Sequence, residues 1–151
     1  MPTTAPATAA RLAIKAALDV EFATELPGGF ISDKLDESLG WDGNYGAIYP
    51  AQEEPQPEHA EVWDATVVVQ LYGAYVKKVD PHQVVDPATV ENWAERLKRA
   101  LRTASHGTTQ YMWYFNVVLI DYPDDPTGNK SRLEAVIVAS SRNSAIWETT
   151  G

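Results

Sequence analysis

The 151-residue chain predicts a single α+β domain, a small, mainly antiparallel, four-stranded sheet packed with two main helices. Three observations predict it. Two stretches carry apolar residues at helical spacing, one rich in alanine and one running from about residue 87 to 104. Four segments read as strands, and the last two flank a dense turn signal. No domain linker or internal repeat divides residues 1–151, and an apolar content of 44% is enough for a core.

The first helix is predicted from about Thr8 to Ala23, where Ile14, Ala17, Leu18 and Phe22 recur on one side. Leu26-Pro27-Gly28-Gly29 stops it. These glycines follow a helix instead of linking a strand to one, so they read as a turn and not as a phosphate cradle.

Residues 30–61 read as an irregular acidic loop. Phe30, Ile31 and Leu35 anchor a short turn, glycines interleave with Trp41 and Tyr45, and Tyr45 to Tyr49 forms a short strand. Pro50-Ala51-Gln52-Glu53-Glu54-Pro55-Gln56-Pro57-Glu58 holds no large apolar residue. It reads as exposed and extended, either a mobile arm or a contact element ordered by a partner.

The second strand is predicted from Glu61 to about Val76. Ala65, Val67, Val69 and Leu71 share one face, and Gly73 marks a bulge or bend. The second helix has the fullest set of signals. Asp86 is a good N-cap, Pro87 suits the first helical position, and Val85 and Val90 stand at the positions of a hydrophobic staple. Val90, Trp93, Ala94, Leu97, Leu101 and Ala104 form one apolar stripe. Gly107 is its expected stop.

The third strand, Tyr111 to Ile120, is apolar at odd and even positions alike: Tyr111, Trp113, Phe115, Val117 and Leu119 against Met112, Tyr114, Asn116, Val118 and Ile120. A strand with one wet face alternates apolar with polar residues, so both faces of this one call for cover. The chain is small for supplying both, and a neighbouring subunit is one source of the second. Residues 123–130 make the turn into the fourth strand, Arg132 to Ser140, which pairs with the third as an antiparallel hairpin.

The net charge of −9 opposes tight, specific binding to nucleic acid. Ten acids against three basic residues in positions 1–60 place the excess in the N-terminal third. The absence of cysteine removes disulfides, thiolate chemistry and zinc–thiolate sites. No apolar run reaches the length of a membrane span, and the first residues lack the basic start and apolar block of a signal peptide. The expectation is a soluble protein made in the cytoplasm, with no membrane partner. Asn129-Lys130-Ser131 is then a chance sequon.

No catalytic constellation emerges. His59, His82 and His106 are scattered over predicted loops and element ends, and Ser105-His106 is adjacency without a triad. Asp121, Asp124, Asp125 and Asn129 form the densest oxygen-rich group, but two prolines interrupt it and the spacing is that of turn chemistry, not of a calcium loop. No catalytic residue, cofactor or metal is therefore assigned. The basic stripe Arg96, Lys98, Arg99 and Arg102 reads either as a solvated helix end that complements the dipole or as a surface that docks the acidic 33–61 region of a neighbour. The candidate subunit contacts are Arg96, Arg99, Arg102, Trp113, Phe115, Glu53 and Glu54.

Three segments carry a resemblance: Trp63-Asp64-Ala65-Thr66-Val67-Val68-Val69-Gln70-Leu71-Tyr72-Gly73, the helix Val90 to Leu101, and Phe115-Asn116-Val117-Val118-Leu119-Ile120. In their wording and in the order of elements, over about residues 8–140, the chain resembles tail terminator proteins of long-tailed bacteriophages. The alanine-rich opening helix and acidic composition suit phages of actinobacterial hosts. The resemblance implies a virion protein at the head–tail interface, a homo-oligomeric ring, usually of six, that caps the tail tube and stops its polymerisation. Its implied partners are the tail tube protein and the head–tail connector, with DNA passing through the lumen. Such a protein has no catalytic residues to carry over. The alternatives are another head–tail connector or stopper, a minor tail or tube subunit, or a small ligand-binding or enzymatic α+β domain.

Overall fold

The computed structural model describes residues 6–32, 44–56, 59–73, 86–104, 113–124, 128 and 130–141. Its elements, in order, are helix α1 (Pro6–Glu21), strands β1 (Tyr45–Gln56) and β2 (His59–Tyr72), helix α2 (Pro87–Ala104), and strands β3 (Trp113–Asp121) and β4 (Arg132–Ser141). The sheet is antiparallel throughout and ordered β1-β2-β4-β3. The α+β class and the β3–β4 hairpin are as the sequence predicts.

Within the 30–61 segment, residues 45–56 and 59–61 are not, and 33–43 and 57–58 lie outside the described residues. Instead of an irregular loop after a short strand, Tyr45–Gln56 forms a 12-residue strand paired with β2 almost to the hairpin tip. Prolines are tolerated because β1 is an edge strand, where a missing N–H on the outer side breaks no ladder bond. Register shifts fall beside Pro50 and Pro55 and absorb the misfit. His59 correspondingly sits in a strand, opposite Gln56. The proposed staple residue Val85, the stop Gly107, the 74–76 continuation of β2, and residues Leu35, Trp41 and 111–112 lie outside the described residues.

The sheet is best followed row by row across its strands. Ile48, Val69, Ala135 and Ile120 stand in one row, and Pro50, Val67, Ile137 and Val117 in another. These rows face the helices. Ala10, Ile14, Leu18 and Phe22 of α1 and its following turn meet them, as do Val90, Trp93, Ala94, Leu97 and Leu101 of α2, in one buried cluster. Each set follows the i, i+3, i+4 spacing of one helix side. Asp86 caps α2 as predicted, its Oδ1 accepting from the Ala88 N–H at 3.1 Å.

The turn after α1 is fixed from both ends. Asp19 Oδ1 accepts from the Phe30 N–H at 2.8 Å, and Gly29 takes a φ of 76° that side chains resist. Gly46 meets this turn so closely that a Cβ there would lie 2.4 Å from Leu26 Cδ1. The close approach lets Ile31 bond to β1 from outside, with its N–H on Gly46 O at 3.0 Å and its carbonyl accepting from the Ile48 N–H at 2.8 Å.

Candidate interaction surface

Both helices pack on the same face of the sheet, so the opposite face is formed by the alternate residues of every strand. One row there is Tyr49, Val68, Val136 and Leu119, and the next is Gln52, Thr66, Val138 and Asn116. A third is Glu54, Asp64, Ser140 and Tyr114. This face changes character along the strands. At one end Gln70, Tyr72 and Arg132 are buried polar residues. There the Gln70 Nε2 donates to Tyr72 Oη at 2.9 Å and to Glu134 Oε1 at 3.3 Å, and the Arg132 guanidinium lies 4.5 Å over the Tyr72 ring. Burial, and next the Glu134 charge, hold the Tyr49 phenol above its usual pKa.

Beyond it an apolar row, Tyr49, Val68, Val136 and Leu119, gives way to mostly polar ones, and the β3 side is open. Tyr114, Val118 and Leu119 are 47%, 51% and 54% exposed, all on edge strand β3. The reason is a bulge. The pairing of β3 with β4 shifts register between Val117 and Leu119, leaving Val118 extra. Phe115 and Val117 point to the helices; after the bulge Ile120 and Tyr122 do, and Leu119 is turned outward. The sequence alternation gave no sign of it, because both faces of the ribbon are apolar. The expectation that this chain covers only one of them holds for Tyr114, Val118 and Leu119.

A second apolar surface was not anticipated. Helix α1 carries Leu12, Ala16 and Val20 on the side away from its buried residues, with Leu12 48% and Val20 79% exposed. Their i, i+4, i+8 spacing was the available signal.

The predicted contact residues divide. Arg99 and Arg102 are exposed on α2, and Glu53 and Glu54 are exposed on β1. Trp113 opens β3 with its backbone opposite Ser141. Phe115 is a core residue at 6% exposure, which removes it from any docking surface; it lies on the inner side of β3, level with Ala65 and Ala139. Arg96 is also corrected, because its guanidinium is engaged inside the chain. It grips Glu25 with two bonds of 2.9 and 3.0 Å, donates to the Glu21 carbonyl at 2.7 Å and lies 4.7 Å over the Phe22 ring. The hydrogen bonds from Arg96 hold the Glu25 carboxyl below its ordinary pKa, against the effect of burial. Arg96 is a clamp between α2 and the end of α1.

An open cleft of about 400 Å³ lies between the start of α2 and the end of β3, lined by Pro87, Glu91, Asp121, Tyr122 and Lys130. Lys130 is committed there, donating to the Tyr122 carbonyl at 3.1 Å and pairing with Asp124 at 2.9 Å. Burial, and next the charge of Glu91, keep the Tyr122 phenol protonated above its usual range. Asp121 Oδ1 accepts from the Tyr122 N–H at 2.9 Å, so Asp121 and Asp124 serve the turn. Asp125, Asn129, His82, Ser105 and His106 lie outside the described residues. Among the described residues no group of three or more His, Cys, Asp or Glu side chains could hold a metal ion, and no helix is long and apolar enough to cross a membrane. Comparison with protein-family models finds no match to this chain, and comparison with curated proteins finds none either.

Proposed function

We propose that this protein is a structural virion subunit of a long-tailed phage, a ring that caps the finished tail tube, stops its polymerisation and joins it to the head connector. One observation carries the reading: Tyr114, Val118 and Leu119, on an edge strand, are apolar side chains left exposed by the subunit itself, a surface suited to cover from outside. The exposed stripe on α1 adds a second surface of the same kind, on the other side of the molecule. A ring subunit requires two different lateral surfaces, since head-to-tail contacts are what close into a ring. The element order and the three segments that resemble tail terminators direct the ring to the tail end. An acidic or neutral lumen wall would let DNA pass without adhering, in keeping with the net charge of −9.

Native mass spectrometry of the concentrated protein, with electron microscopy of assembled particles, tests the proposal. Closed rings, six subunits as in the resembling family, are expected. A phage lacking the protein is expected to make tails of uncontrolled length that do not join heads. Tails of normal length joined to heads without it would sink the reading. Extended filaments of the purified protein would transfer it to a tube subunit.

A further inference from the structure

The two edges of the sheet carry opposite unspent charge. On the β1 side, Glu53 and Glu54 stand opposite Ala65 and Asp64 of β2 and are exposed. Glu54 accepts from Gln52 Nε2 at 3.0 Å, and among the described residues neither glutamate has a cationic partner.

On the other side α2 packs against β3. Arg96 faces α1, and Lys98 stands on the flank toward β3, where its charge acts on Tyr122. Arg102 follows Lys98 by four residues and shares that flank. Lys98 is neutralised by Glu95 at 2.5 Å, whereas the exposed Arg99 and Arg102 have no carboxylate partner among the described residues. The same edge presents the uncovered Val118 and Leu119. Since β1 and β3 are the outer strands, one molecule cannot bring its own glutamates to its own arginines; the strands alone separate them by about 15 Å.

We propose that the β1 edge of one copy docks on the β3–α2 edge of the next, with Glu53 and Glu54 set against Arg99 and Arg102. The inference rests on the ring reading and names its lateral contact. Such exposed ion pairs add little affinity by themselves; they select partner and register, while the apolar residues of β3 supply buried area.

The test is sedimentation and native mass spectrometry of four samples at equal concentration: the parent chain, Glu53→Arg/Glu54→Arg, Arg99→Glu/Arg102→Glu, and an equimolar mixture of the two variants. Each reversal alone is expected to weaken assembly about tenfold or more, because like charges then face each other. The mixture is expected to recover assembly in oligomers that alternate the two chains. Near-ultraviolet circular dichroism establishes that each variant is folded, and the charge-removing Arg99→Ala/Arg102→Ala, expected to weaken assembly more mildly, serves should a reversal disturb the fold. A parent that assembles regardless of both reversals overturns the inference and leaves the ring reading standing. A parent that stays monomeric at every concentration overturns both.

Discussion

The two faces of the sheet are built from the same strands and from similar residues, yet only one is a core. On the helix side Val67, Val69, Leu71, Leu133, Ala135 and Ile137 have no exposed surface. On the other side Val68, Val136 and Val138 are half-buried and Leu119 is open. An antiparallel sheet that keeps one face in water ordinarily makes that face polar. Here polar residues hold both ends, Gln70, Tyr72, Arg132 and Glu134 at one and Glu54, Asp64 and Ser140 at the other, while Tyr49, Val68, Val136 and Leu119 form an apolar row between them. The lesson is that apolar content marks a surface for burial without saying who buries it. The helices cover the first face, and on the second Tyr114, Val118 and Leu119 stay exposed.

That contrast can be broken most forcefully from the covered side. Trp93 is 3% exposed in the middle of the α2 stripe. Trp93→Ala is expected to cost about 3–5 kcal/mol through lost transfer energy and an unfilled cavity. Denaturant melts measure it, and curves that superimpose on the parent would mean that the helix-side core is not the stabilising one.

Much of that covered side was legible in the sequence. The boundaries and cap of α2 and its buried stripe follow from local signals, as does the β3–β4 hairpin. What escaped depended on partners distant in the chain. Residues 51–56 lack large apolar side chains, so their composition says loop; they are a strand because β2 supplies backbone partners and the edge position tolerates Pro50 and Pro55. Arg96 looked like one cation of a surface stripe, and nothing local showed that Glu21, Phe22 and Glu25 wait for it more than 70 residues earlier. Of the candidate surface, the two-faced ribbon was visible and its bulge was not.

The Arg96 clamp yields a smaller effect and a pH signature. Glu25→Gln keeps the shape and removes the charge that Arg96 grips, and it is expected to cost about 1–2 kcal/mol at neutral pH, since hydrogen bonds to charged groups carry more than neutral ones. The sign of the pH dependence follows from the lowered carboxyl pKa. The clamp contributes fully above the ordinary value of 4.5 and is lost as pH falls through the lower, folded-state value. Parent and variant melting temperatures should therefore converge as the medium is acidified below 4.5. A gap that stays constant or widens on acidification would show that the pair does not stabilise the fold through its charge.

The finest test of the two-face contrast uses two neighbours in sequence. Without the bulge at Val118, the alternation from Phe115 and Val117 would send Leu119 inward and Ile120 outward; with it the assignments are exchanged. Ile120→Ser is then expected to destabilise the isolated subunit by about 1–2 kcal/mol, because a partly buried side chain leaves the core. Leu119→Ser removes a side chain that is 54% exposed and is expected to change subunit stability by no more than about 0.5 kcal/mol. Its effect belongs to assembly. In sedimentation the oligomer should dissociate at lower dilution than the parent, while the melting of the dissociated subunit stays in place. The reverse order, with Leu119→Ser the more destabilising to the monomer, would place the bulge elsewhere and remove Leu119 from the open face. A Leu119→Ser variant that assembles like the parent would leave the exposed apolar residues of β3 without the partner proposed for them.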